Sequence, residues 1–218
     1  MEVKVMKTVL ERIEECKVVP VVALEKEEDA LPLAEALIAG GLPCAEVTFR
    51  TAAAETAIRF MKGAYPEMLV GAGTVLTVDK VDQAVAAGAE FIVSPGFDAE
   101  IVDHCIANEL PVFPGCITPT EIAQAVRRGV DVIKFFPAEQ SGGLSTIKAL
   151  AAAYTNLRFM PTGGIGINNL NHYLAFDKIV ACGGSWMVKG DLIRGKDFNR
   201  VRELTAEAVA VVKGMERS

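Results

Sequence analysis

The sequence holds no apolar run near the roughly 20 residues needed to cross a bilayer, no block of basic residues, no C-x-x-C pair, and only two histidines in 218 residues. The missing apolar run, with charges scattered through the opening stretch MEVKVMKTVLERIEECK, predicts neither secretion nor membrane insertion. Lys and Arg number 22 against 28 Asp and Glu, for a formal charge of -6 and a pI near 5.1. No nucleic-acid surface is expected from such a balance, and a small molecule is the default partner. Five cysteines, an odd count without metal-binding or redox spacing, suit a reducing compartment better than a disulfide framework, so a cytoplasmic protein is expected. His104 and His172 fall in helical stretches without HxxxH or carboxylate-flanked spacing, so neither a metal nor another cofactor is expected. No linker, low-complexity tract or shift in composition divides the chain, and residues 1–218 read as a single domain.

What the chain does have is apolar content, at 51% hydrophobic residues and a mean hydropathy of +0.31, enough for a large core. Eight short β-rich runs recur: VVPVVAL (18–24), PCAEVTF (43–49), LVGAG (69–73), FIVSPG (91–96), PVFPG (111–115), DVIKFF (131–136), LRFMPTGG (157–164) and IVACGGS (179–185). Most are apolar on both faces, as strands are when a parallel sheet is covered by helices. Stretches with helical spacing lie between them, and in TPTEIAQAVRRGV Thr118 is placed to cap a helix, Pro119 to begin it and Glu121 to complete a capping box, with Gly129 to end it. This alternation predicts a single (β/α)8 barrel preceded by an N-terminal helix, with an open doubly wound sheet as the competing arrangement. The usual barrel length is about 250 residues, so this one would be compact. The polar residues Glu46, Arg50, Thr74, Lys134, Thr162 and Ser185 all fall within or just past strand ends, where a barrel places its active site, and that favours the barrel.

Lys134 interrupts the apolar run DVIKFF, and a lysine is almost never fully buried unless it is paired or used. Strand parity sets Lys134 on one face with Val132 and Phe136, and sets Glu46, Thr48 and Arg50 together on one face of the second strand. If both faces point inward, the Lys134 amine and the Glu46 carboxylate share one interior. One reading is a structural ion pair. The other is chemistry: desolvation by Phe136 lowers the lysine pKa, the neutral amine attacks a ketone to form a Schiff base, and the carboxylate moves protons. Two glycine clusters, PTGGIGINNL and ACGGSWMV, follow the seventh and eighth strands, where a barrel of this type binds phosphate. There Thr162 and Ser185 offer hydroxyls, and Gly163, Gly164, Gly183 and Gly184 offer backbone N–H groups. The glycines also fit plain βα turns. Cys44, Cys116 and Cys182 read as small buried hydrophobes, and Trp186 as a packing plug.

The stretches EVTFRT, VGAGTVL, SPGF, KFFPAE, PTGGI and GGSW, in this order between residues 46 and 186, resemble the bacterial KDPG/KHG aldolases, which act on 2-keto-3-deoxy-6-phosphogluconate (KDPG). The resemblance implies a metal-free class I aldolase with Lys134 as the Schiff-base lysine and Glu46 as the general acid/base. It further implies Arg50 and Thr74 at the pyruvyl carboxylate, Pro95 and Phe136 lining the site, and Thr162, Gly163, Gly164, Gly183, Gly184 and Ser185 at the distal hydroxyl and phosphate. It also implies a homotrimer. An aldolase preferring 4-hydroxy-2-oxoglutarate (KHG) or the galactonate epimer is a close alternative, and a non-catalytic phosphosugar-binding barrel or a phosphosugar isomerase is one of another class.

Overall fold

The structure, a computed structural model, describes residues 7–215; residues 1–6 of the charged opening stretch, and the last three of the expected 1–218 unit, lie outside the described residues. A short helix α1 (Val9–Cys16) comes first, capped by Thr8 and Glu11. Strands and helices then alternate: β1 (Val18–Val22), α2 (Ala30–Ala39), β2 (Cys44–Thr48), α3 (Ala54–Ala64), β3 (Leu69–Gly73), α4 (Val78–Ala86), β4 (Ile92–Val93) and α5 (Ala99–Ala107). The second half runs β5 (Val112–Phe113), α6 (Pro119–Arg127), β6 (Val132–Phe135), α7 (Gly143–Ala153), β7 (Arg158–Pro161), α8 (Leu170–Leu174), β8 (Cys182–Gly184), α9 (Gly190–Arg194) and α10 (Phe198–Met215). Among the described residues no helix is long and apolar enough to cross a membrane.

Local chemistry accounts for many of these boundaries. The Thr118 side chain accepts from Glu121 N–H while Glu121 returns the bond to the Thr118 N–H, Pro119 opens α6, and Gly129 follows its end at φ +79°. Thr77 and Asp98 cap α4 and α5 in the same manner. In β1, β2 and β3 every residue is buried, which is why their sequences read as continuous apolar runs rather than alternating ones.

All eight expected strands are present and parallel, but their ladders fall into two pieces. Six form one sheet in the order β5-β4-β3-β2-β1-β8, and β6 pairs with β7. Isolated bridges span the two seams: Gly115 to Lys134 between the β5 end and β6, and two on the other side, Phe159 to Ile179 between β7 and the segment leading into β8 and Thr162 to Gly183 between the β7 end and β8. At the first seam Lys134 N–H donates to Pro114 O and Cys116 N–H to Lys134 O. This first break has a covalent cause: Pro114, just past β5, carries no N–H to donate toward β6, while the Pro111 carbonyl is taken by Ile92 N–H of β4.

The opposite, N-terminal ends of the strands are crossed by α1. Arg12 donates to the Glu90 carboxylate at 2.6 Å and to Glu67 O at 2.7 Å, Glu14 pairs with Arg158, and Ile13 is buried beneath. These contacts tie α1 to the segments leading into β3, β4 and β7.

Candidate active site

Glu46 sits at the centre of β2, in register with Val21 on β1 and Gly71 on β3, and Lys134 sits on β6 opposite Met160 on β7. Both side chains are sealed from solvent, Glu46 at 0% exposure and Lys134 at 3%. The Lys134 Nζ lies 3.1 Å from Glu46 Oε1 and 5.3 Å from the centre of the Phe136 ring, so the parity that joins these three residues holds. Glu46 Oε2 is buried without a hydrogen-bond partner. An unmet buried acceptor costs about 1–3 kcal/mol, and a pair kept only for packing has no use for one.

Space for the carboxylate comes from Gly73, which sequence reasoning passed over. A Cβ there would lie 2.1 Å from Glu46 Oε1, so the last residue of β3 has to be glycine for the carboxylate to stand where it does. Its signal was a glycine-alternating strand, VGAG, next to a strand carrying a buried acid.

Just beyond Gly73, Thr74 adopts φ +54°, a left-handed conformation unfavourable for a β-branched residue, and its Oγ1 accepts from Arg50 Nε at 3.2 Å. Arg50 itself is exposed past the end of β2 and, among the described residues, no carboxylate pairs with its guanidinium. Thr48, on the same face of β2, is occupied differently: its hydroxyl donates to Val22 O at 2.8 Å and ties β2 to β1. Pro95 is half-buried after β4, against Gly115, where a Cβ would come within 2.2 Å of the Pro95 carbonyl.

At the far side, Thr162 N–H donates to Phe135 O at 2.9 Å, which sets the end of β7 beside the β6 residues that follow Lys134. Gly163 and Gly164 have φ of +101° and +76°, and their N–H groups donate to no group among the described residues. Gly183 and Gly184 are buried in β8 while Ser185 is exposed. The two glycine clusters touch: a Cβ on Gly183 would lie 2.2 Å from Thr162 Oγ1, itself buried without a partner. The Trp186 ring packs against Gly184, where a Cβ would come within 1.8 Å of its Cζ3.

Cys44, Cys116 and Cys182 are buried thiols with raised pKa, whereas Cys16, half-buried, is lowered by its contact with Cys44. Burial pushes Cys116 up to about 12 and Cys182 well above the usual thiol range, and Cys44 is raised by its contact with Cys16 and by burial. His104 pairs with Asp82 on the outer helices at 2.8 Å. Among the described residues no group of three or more His, Cys, Asp or Glu could hold a metal ion. A cavity of about 350 Å³ opens near Asp131 and Leu157, where β6 and β7 begin, at the opposite end of the strands from Lys134.

Comparison with known proteins bears on the same residues. Residues 9–204 match the family model described as KDPG and KHG aldolase. The chain belongs to this aldolase family. A 2-dehydro-3-deoxy-phosphogluconate aldolase of Treponema pallidum is 50% identical over 95% of this chain and 99% of its own. Among solved structures, a KDPG aldolase from Legionella pneumophila with pyruvate captured as a covalent carbinolamine superposes with a TM-score of 0.88 at 36% identity, covering 92% of this chain and 97% of that one. The KDPG aldolase of Zymomonas mobilis with 3-phosphoglycerate gives 0.87 at 41% identity, covering 92% and 94%. Among the described residues this chain's one buried lysine faces its one buried glutamate across the strands.

Proposed function

We propose that this protein is a class I aldolase that reversibly cleaves KDPG to pyruvate and D-glyceraldehyde 3-phosphate, with Lys134 as the Schiff-base residue and Glu46 as the proton carrier. The observation that carries the reading is the buried pair, 3.1 Å apart with one carboxylate oxygen unmet, in a family whose relatives are named for this reaction. Lys134 passes a proton to Glu46 and its amine attacks the C2 ketone, giving a carbinolamine. Glu46 returns that proton to the carbinolamine hydroxyl, which leaves as water to give an iminium, and the regenerated Glu46 carboxylate then takes the proton of the C4 hydroxyl. The C3–C4 bond breaks, its electrons enter the iminium to form an enamine, and the aldehyde leaves. Protonation of the enamine at C3 and hydrolysis release pyruvate and free Lys134.

Arg50 takes the substrate carboxylate in a charge-assisted fork and Thr74 steadies it. Pro95 and Phe136 line the reacting end. Thr162, Gly163, Gly164, Gly183, Gly184 and Ser185 receive the distal hydroxyl and phosphate, which the Gly163 and Gly164 N–H groups, without partners among the described residues, support.

The same proposal closes the eight strands into one (β/α)8 barrel forming a single catalytic unit over residues 1–218. The isolated bridges at both seams support closure, and one contiguous core supports the unit. We place it in the cytoplasm as a homotrimer. Five free cysteines fit a reducing compartment, and exposed Phe60, Val85, Ile106 and Val126 on α3 to α6 fit an assembly face.

Incubation with pyruvate and borohydride, followed by peptide mass spectrometry, tests the chemistry. A reduced pyruvyl adduct on Lys134 is the expected result. A folded protein that takes no adduct, yet binds the phosphosugar, would be a binding protein or an isomerase instead.

A further inference from the structure

The stretch KFFPAE ends on Glu139, a residue the chemistry above does not use. Its backbone N–H donates to Gly163 O at 3.1 Å, next to Ala138 N–H donating to Thr162 O at 2.8 Å, so the segment after β6 is stitched to the glycine turn after β7. Its side chain then runs over Gly164, where a Cβ would come within 2.5 Å of Glu139 Cγ, and its Oε1 accepts from the Tyr173 hydroxyl. Tyr173, on α8, is buried at 1% exposure. Burial and the Glu139 carboxylate both push its phenol above the usual range, against a weaker opposing pull from Leu144 N–H at the start of α7, so the hydroxyl stays protonated as a donor. Asn169 holds the third carbonyl of the turn, donating to Gly164 O at 3.1 Å. The carbonyls of Thr162, Gly163 and Gly164 are all engaged, while the Gly163 and Gly164 N–H groups have no partner among the described residues.

We propose that Glu139 and Tyr173 are positioning residues for the phosphate end: Tyr173 holds the Glu139 side chain against Gly164, fixing the glycine turn and keeping the carboxylate from swinging toward the bound phosphate. The inference rests on the phosphate-end reading above and adds two residues to it, neither of which touches the substrate. An untethered Glu139 would both loosen the turn and repel a dianion at close range.

The test compares KDPG with unphosphorylated 4-hydroxy-2-oxoglutarate on the wild type, Tyr173→Phe, Glu139→Gln and the double variant, with Tm measured for each. Loss of one hydrogen bond to a charged group predicts KM for KDPG about tenfold higher in Tyr173→Phe, with KM for the unphosphorylated acid unmoved and kcat little changed on either. Glu139→Gln keeps an acceptor for Tyr173 and stays near wild type. The double variant recovers part of the lost KDPG affinity because no charge is left to repel the phosphate. A Tyr173→Phe effect equal on both substrates, or on neither, would overturn the pair's role, as would a double variant no better than Tyr173→Phe. A wild type that forms no Lys134 adduct, or handles both substrates with the same KM, would instead overturn the functional reading and this inference with it.

Discussion

Around Lys134 the site is made of charged side chains carried in the middle of strands and sealed from solvent, whereas past β7 and β8 it is made of backbone, with glycines at positive φ and an exposed serine. At the first end the ladders fix two functional atoms 3.1 Å apart, and what matters is which residue stands there. At the second end the donors are N–H groups that every residue but proline owns, and what matters is the conformation that aims them. The lesson is that identity and shape divide the work. Substitutions at the reacting end should strike kcat, and substitutions at the anchoring end should strike KM.

Glu46→Gln is the strongest test of that division, because it keeps the shape and removes the proton carrier. We expect kcat to fall by about 10²–10⁴-fold, the usual worth of a positioned acid/base, while pyruvate is still trapped on Lys134 by borohydride. The variant also leaves a buried ammonium without its counter-charge, which costs about 3–5 kcal/mol, so thermal unfolding belongs beside the kinetics. A kcat within tenfold of wild type would remove Glu46 from the proton path.

Gly183→Ala probes the other end through shape alone. The added methyl would meet Thr162 Oγ1 at 2.2 Å and must push β7 and β8 apart at their tips. Overpacking of this kind costs about 1–3 kcal/mol, and a comparable loss at the anchor raises KM for KDPG about tenfold or more. Steady-state kinetics should show KM rising by a larger factor than kcat falls. The reverse pattern would mean that the glycine tips shape the reacting centre itself.

The two ends were also unequally legible. Strand parity was enough to bring Glu46, Lys134 and Phe136 together, because period-two alternation survives even in a wholly buried strand. The Thr118-Pro119-Glu121 cap was legible for a similar reason, being complete within four residues. Gly73 was not, since its necessity comes from a side chain 27 positions earlier, on the neighbouring strand. Glu139 and Tyr173 stand 34 residues apart, one in the segment after β6 and the other on α8, and only the packing of β7 beside β6 brings them together. The ladder break at β5 lay in plain sight as Pro114, although the run was read as an ordinary strand.

Thr74 blurs the division between the ends, and a small effect there sharpens it. It belongs to the reacting end by its hydroxyl, which accepts from Arg50, yet its φ of +54° is the kind of conformation that the anchoring end gives to glycine. Holding a non-glycine residue there costs about 1–2 kcal/mol, and glycine would relieve that at a cost of about 0.4–1 kcal/mol from a freer unfolded chain. Thr74→Gly should therefore leave Tm unchanged or raise it by about 2 °C. Its KM for KDPG should nevertheless rise, by about two- to tenfold for the lost hydrogen bond, because Arg50 loses the partner that aims it. Thr74→Ser keeps the hydroxyl and should keep the KM. If Thr74→Gly binds substrate as well as wild type does, the strain at this position serves something other than Arg50, and the reacting end depends on backbone shape as much as the anchoring end does.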